Sequence, residues 1–327
     1  MDRRRDTKAD RGPRLPDRAR TGAALFVGSE DSEGVLELLV QLLDDALARH
    51  LAGEVTTIAI EVHADHFSVH DDGPGLGRRE LSPATLSRAR STNLDRPQRA
   101  GQRRGRSLAV INSLSTRLEV LSSRHGAQRR WLFEGFDPVV SGARLGAAEG
   151  PGTTVRVWPN PELFSTTRPD LTSLEDRLET LHALCPSLDL RLDGEPPRGA
   201  RGPAAWVRAE LGGREDVTVH SIDARRGSAR LELAFAWLPP FGAARCRSFV
   251  NLIETPADGS HVEALLDALA RANEVSPGMA RERCLALVSV SSPNPTLRAS
   301  PSLRLDDDDL RRWIFDVVEH ELLAASS

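Results

Sequence analysis

Apolar residues recur at Val35, Leu38, Leu39, Leu42, Leu43, Ala46, Leu47 and Leu51, the 3.6-residue period of a helix that buries one stripe. That phase predicts a helix over 35–51 and leaves Gln41, Asp44, Asp45 and Arg49 exposed, with Gln41 and Asp45 on one face. Two β-type runs follow at 55–63 and 66–70 and end in Asp71-Asp72-Gly73-Pro74-Gly75. The glycines there permit a tight turn and let a ligand come close to backbone. A polar helix face is therefore expected beside a carboxylate-bearing turn.

The rest of the chain continues in the same vein. Residues 83–90 have helical material, followed by a polar, Pro-containing segment to Gln98. Alternating runs around Arg124-His125-Gly126 predict a hairpin over 118–133. Leu174, Leu178, Leu181 and Leu184 mark an amphipathic helix at 171–185, with a strand at 188–192 after it. The stretch PPRGARGP at 196–203 has the Pro and Gly density of a linker. Beyond it lie strands at 216–221 and 228–237 and a helix at 261–273 that buries Leu265, Leu266 and Leu269. An acidic run at 306–309 suits the N-terminus of a closing amphipathic helix at 310–323. Residues 1–20 are charged, lack periodicity and are expected to form a disordered basic arm.

Composition narrows the chemistry. A chain of 327 residues, 39% hydrophobic and 28% charged, can bury a real core and is expected to form two domains. No run of about 18 apolar residues stands in it, nor an apolar stretch behind the arginine-rich start, so no membrane partner is expected and the cytoplasm is the default location. Cys185, Cys246 and Cys284 are too scattered for a disulfide framework or a metal pair. His261 has no second His, Cys or carboxylate at metal spacing and reads as structural. The one lysine is Lys8. Any mechanism that needs a lysine in the folded body is excluded.

Several motifs, in order, resemble the ATPase region of the DNA gyrase B and topoisomerase IV B proteins, in the wider family of MutL proteins, sensor histidine kinases and a heat-shock chaperone. Val27-Gly28-Ser29-Glu30-Asp31 and Leu51-Ala52-Gly53 match the start of gyrase B, whose helix reads E-V-V-D-N-x-x-D-E-A-L-A-G. D-x-G-x-G is intact as Asp71, Gly73 and Gly75, and Val110-Ile111-Asn112-Ser113-Leu114-Ser115 is close to the helix after the family's glycine loop. GTTVRVWPNPELF at 152–164 follows G-T-x-V-x-F-W-P-D-x-x-x-F. SFVNLIETPADGSH at 248–261 and MARERCLALVSVSSPNP at 279–295 follow two further signatures of the second domain.

The resemblance implies an α+β chain: a Bergerat-type ATPase domain, a two-layer α/β sandwich on a mixed sheet, at 21–200, then a ribosomal S5-like transducer domain at 201–327. No stretch like the topoisomerase-primase domain follows. It implies ATP and Mg²⁺ as cofactors, a homodimer, and DNA with topoisomerase subunits in trans as partners; the basic arm would embrace the other protomer or touch DNA phosphates. Asp71 and Gly75 would hold the adenine, Thr153 the aspartate and its water shell, and Arg130 would lie over the nucleotide side of the sheet. Residues 80–98 would be the lid over the nucleotide. Asp45 would carry the metal from the position of the family's Asn.

Departures from the pattern fall on the chemistry. Gln41 stands where the general base Glu would be, and Ser302 where the lysine on the terminal phosphate would be, with Ser300 for its Gln; only Arg298 or Arg304 could substitute electrostatically. In the phosphate loop Gly101 and Gly105 remain, but Gln102 and Ser107 replace glycines and Arg103, Arg104 and Arg106 crowd in. Side chains there take up phosphate space and cost backbone freedom, while arginines are good phosphate donors. Two readings result: an ATP-dependent dimerising clamp with weak or absent hydrolysis, and a pseudo-ATPase interaction or regulatory module without topoisomerase activity.

Overall fold

A computed structural model describes residues 22–82, 86, 104–293, 295–298 and 304–325. Helices α1 (Ala24–Val27) and α2 (Ser32–Leu51) open it, and the Asp31 carboxylate caps α2 by accepting from Glu33 N at 2.9 Å. Strands β1 (Thr57–Val62) and β2 (Phe67–Asp71) form an antiparallel pair. Next come α3 (Arg104–Ser113), β3 (Ser115–Arg124), β4 (Ala127–Glu134), β5 (Asp137–Ala147) and β6 (Gly152–Pro159). They are followed by α4 (Leu171–Leu184), β7 (Asp189–Leu192) and α5 (Pro203–Glu210). The last third holds β8 (Val219–Arg226), β9 (Ala229–Trp237), β10 (Arg245–Val250), β11 (Ile253–Glu254), α6 (Ser260–Ala272) and α7 (Pro277–Glu282). It closes with β12 (Cys284–Ser291), β13 (Leu297–Arg298), β14 (Arg304–Leu305) and α8 (Asp308–Ala325).

The described residues form two compact units, one drawn from 1–174 and 189–196, the other from 175–188 and 197–327. In the first, the described strands form one sheet ordered β5-β4-β3-β6-β2-β1-β7, antiparallel except for the parallel β1–β7 pair. This is the mixed sheet expected. Its core is built by the α2 stripe, in which Val35, Leu38, Leu39 and Leu43 are fully buried, together with Ile58, Ile60, Phe67, Val120 and Val157. The register is fixed by this alternation, since a slip of one residue would turn the buried set outward.

The second unit carries the sheet β11-β10-β12-β9-β8 and a two-stranded β13–β14 pair. Helices α6 and α8 bury Leu265, Leu269, Ile314 and Val318 with Leu231, Phe235 and Val288 of the sheet. A smaller cluster sets Val207 and Leu211 with Ala234, Ala236 and Leu285.

Several expectations shift. The strand read at 216–221 lies at Val219–Arg226, because its pairing is set by the hairpin turn before Ala229 and not by its own alternation. β5 escaped the pattern because it exposes most of its residues, Val139 and Leu145 among them. The linker motif runs directly into α5, whose first residue is Pro203. Leu51 is 41% exposed at the last position of α2, while Arg49, expected in solvent, is buried. The arm at 1–20, most of the 83–90 helix and most of the segment at 80–98 lie outside the described residues.

His261 sits on α6 with no exposed surface, its Nε2 3.4 Å from Thr255 Oγ1, and burial pushes its imidazole down from 6.5 to about 3. The unfolded chain therefore takes up this proton first. Its contribution to stability is complete above about pH 6.5 and is lost as pH falls toward the folded value, at up to about 1.4 kcal/mol per pH unit. Urea midpoints between pH 7 and 4 are expected to fall less steeply for His261→Gln than for the parent; equal slopes would refute this.

Candidate functional site

The candidate site forms where the C-terminal half of α2 meets the end of β2. Asp71 is the last residue of β2 and faces Thr153 on β6 in register, so both stand on neighbouring strands. Asp71 is 3% exposed and Thr153 1%. The turn that follows needs its glycine: Gly75 has φ +75° and a Cβ there would come within 2.5 Å of Ser123 O. Arg124 Nη1 donates to Gly75 O at 3.1 Å and Ser122 Oγ to Leu76 O at 2.9 Å, tying the turn to β3. Asp72 points the other way and accepts from Thr56 N and Thr57 N at 2.8 and 2.9 Å, which anchors the start of β1.

The Asp71 carboxylate is taken up inside the protein. Arg49 Nη2 donates to Oδ2 at 2.7 Å, and Gly73 N to Oδ1 at 3.0 Å. Burial pushes the Asp71 carboxyl above its ordinary value, against the opposing pull of Arg49 and the Gly73 N–H. Arg49 itself is 6% exposed, and its Nε lies 3.4 Å from Asp45 O, one turn back on α2. The cavity between helix and sheet measures about 30 Å³, with Leu42, Val69, Leu76, Leu108 and Val155 as apolar wall and Asp45, Arg49 and Asp71 as polar wall. That is room for a water molecule or two.

Of the residues singled out in the sequence, Asp45 and Asp71 share this cavity, and Thr153 adjoins it through the β2–β6 register. Gln41 is half-buried one turn before Asp45, and its Nε2 donates to Glu37 Oε1 at 3.3 Å. Arg130 is drawn instead into the sheet: its Nε donates to Glu119 Oε1 at 2.7 Å, while Arg156 takes the other oxygen at 2.9 Å. Burial would push the Glu119 carboxyl up, but the hydrogen bonds from Arg156 and Arg130 outweigh it and hold it below its ordinary value. Arg104, Gly105, Arg106 and Ser107 form the first turn of α3; Gly101, Gln102, Arg103, Ser300 and Ser302 lie outside the described residues. Arg298 pairs with Asp306 at 2.6 Å and Arg304 with Glu263 at 2.8 Å.

Arg49 is the residue that pattern reading missed. The helix period placed it on the polar side, and its buried partner is 22 positions away. The signal was in the gyrase B pattern, E-V-V-D-N-x-x-D-E-A-L-A-G, which sets a glutamate in the column that Arg49 fills here.

ATP fits this arrangement poorly. The carboxylate that would receive the adenine already holds a guanidinium at one oxygen and a backbone N–H at the other, and 30 Å³ falls far short of the roughly 300 Å³ at which ligand pockets begin. One feature suits a ligand: Thr153 Oγ1 is buried without a hydrogen-bond partner among the described residues. No cluster of three or more His, Cys, Asp or Glu that could hold a metal occurs among the described residues, and no described helix is long and apolar enough to cross a membrane.

The mixed sheet, the helix crossing it, the carboxylate turn and the second unit with its own sheet define the architecture of a gyrase B-type ATPase region. The chain matches the gyrase B protein of Myxococcus xanthus with a TM-score of 0.78 at 23% identity, over 95% of both chains. It matches the 43K ATPase domain of Thermus thermophilus gyrase B, solved with an aminocoumarin, with a TM-score of 0.74 at 23% identity, over 95% of this chain and 90% of that one. No family model matches. By sequence the chain is a relative of the DNA gyrase B protein of Haloferax lucentense, 25% identical over 91% of this chain and 53% of that protein. It is likewise a relative of the topoisomerase IV B protein of Bacillus subtilis, 28% identical over 84% of this chain and 47% of that protein. The chain spans about half the length of the curated relatives it matches.

The Arg49–Asp71 pair is open to a direct test. Arg49→Met leaves a buried carboxylate without its cation and is expected to cost about 3–5 kcal/mol, while Arg49→Met with Asp71→Leu should recover most of that loss. Denaturant melts of the two single variants and the double variant check it; additive losses would mean that the pair is not coupled.

Proposed function

We propose that this chain is a non-hydrolysing clamp module of the gyrase B type. It forms a homodimer in the cytoplasm and serves as a binding platform for DNA and for type II topoisomerase subunits carried on other chains. The similarity to gyrase B and topoisomerase IV B proteins supports the setting. The observation that carries the loss of hydrolysis is Gln41. It occupies the position of the general base on α2 as an amide, and its Nε2 is turned to Glu37.

The chemistry follows from the amide. Water attacking a phosphoryl group must give up a proton, and a Gln side chain can orient that water but cannot take the proton. A positioned general base contributes about 10²–10⁴ in rate. The electrostatic share that a lysine would add is missing too, because the chain has none beyond Lys8. A single such donor supplies about 3–4 kcal/mol at the transition state. Asp45 retains an oxygen ligand on the helix face where magnesium would sit with nucleotide phosphates, and without that metal its charge would repel them.

Of the two readings, the interaction module is favoured over the ATP-dependent clamp by the size of the cavity beside Asp71. Phosphate release in millimolar Mg-ATP, with and without supercoiled DNA, is expected to match the protein-free rate. A DNA-stimulated turnover of about 1 s⁻¹ or more, within the ordinary enzyme range, would overturn the proposal.

A further inference from the structure

The cavity beside Asp71 is not merely small; a charged side chain of the protein forms its wall at the carboxylate. Arg49 reaches from α2 across the seam, and its guanidinium lies 2.7 Å from Asp71 Oδ2, with less than one-tenth of either residue exposed. Gly73 N takes Oδ1, so both oxygens of the carboxylate are engaged. A neutral exocyclic amine that came to Asp71 Oδ2 from the cavity would compete there with a charge-assisted hydrogen bond roughly twice as strong as its own. It would also have to enter a space of about 30 Å³.

We propose that Arg49 is an internal occupant of the base-recognition site, a side chain whose guanidinium stands where a nucleobase would bind and so excludes adenine nucleotides from the chain. The proposal rests on the reading that Asp71 stands at the adenine position of a gyrase B-type pocket. It differs from the loss of hydrolysis, because a pocket without a base can still bind nucleotide. In this scheme Arg49 acts on the base end alone. Thr153 Oγ1, buried and without a partner among the described residues, marks the same spot as a polar site not fully satisfied by the ion pair. Removal of Arg49 therefore leaves two buried polar groups, Asp71 and Thr153, to receive a ligand.

The test uses the full chain and two probes, Mg-ATP and adenosine, the second reporting on the base site without the phosphate loop. Calorimetric titration and thermal shift are run on the parent, on Arg49→Ala and on Arg49→Gln, with near-UV circular dichroism to confirm that each variant is folded. Arg49→Gln keeps a hydrogen bond to Asp71 and guards against a collapse of the alanine variant. The parent is expected to bind neither probe at millimolar concentration, and a folded Arg49 variant to bind both, with a gain of about tenfold or more in affinity, equal to about 1.4 kcal/mol. Tight binding of adenosine or ATP by the parent, unimproved in the variants, would overturn the proposal; so would folded variants that bind neither probe. Parent protein that binds ATP without releasing phosphate would sink this inference and leave the proposed function standing. ATP turnover by the parent would sink the proposed function.

Discussion

A buried ion pair is an expensive element, and the pair of Arg49 and Asp71 sits at the seam where α2 crosses the sheet. Each charge leaves water at a cost of several kcal/mol, repaid only if the partner stands close and the remaining polar atoms are satisfied. Both conditions are met for the carboxylate: Arg49 Nη2 at 2.7 Å and Gly73 N at 3.0 Å cover its two oxygens. The pair thus fixes three things together: the rotation of α2 about its axis, the end of β2, and the start of the turn that leads to Gly75. In a nucleotide-binding protein the same carboxylate has to be left available, and the ligand supplies the compensation. Here the compensation for the carboxylate is covalently part of the chain, carried on Arg49.

The motifs that drew attention in the second unit turn out to be mainly devices of folding. Ser248 Oγ bonds Thr255 O at 3.1 Å and Asp258 Oδ1 at 3.1 Å, and Thr255 Oγ1 returns to Ser248 O at 3.0 Å. Asn251 Nδ2 donates to Ser292 O at 2.9 Å, and Ser292 N to Asn251 Oδ1 at 2.8 Å. Gly259 has φ +135°, and a Cβ there would lie 2.2 Å from Leu305 O, so the β14 strand can run against it only if no side chain is present. In the first unit, Trp158 of the WPNP motif stacks on His66 at 4.7 Å and under the Arg117 guanidinium at 4.6 Å. None of these roles needs a nucleotide. Such stretches can therefore hold to a family pattern for reasons of folding alone.

Elements whose own side chains carry their periodicity were legible in the sequence. The α2 stripe, the hairpin at Arg124-His125-Gly126 and α6 all bury one face and alternate or repeat accordingly. Elements whose position is decided by a partner were not: β5 exposes most of its length, and β8 takes its register from β9. The site divides on the same line. Asp71, Asp45 and Thr153 were visible because a turn motif, a helix face and a strand signature each announce themselves locally. Arg49 was invisible to periodicity, since a charged residue on the polar side of a helix is normally solvated and only the fold brings Asp71 to it.

The same contrast bears on how a buried carboxylate can be satisfied from within the chain without disturbing its frame. An arginine in the α2 column where the gyrase B pattern has a glutamate puts a cation at a buried position, which without a partner would be among the costliest placements available. It is tolerated where a carboxylate stands within reach, and in this architecture the nearest carboxylate is the one that would meet the ligand. A bound ligand stabilises a fold to an extent set by its concentration, whereas a guanidinium carried on the same chain, as Arg49 is, stands beside its carboxylate at any concentration.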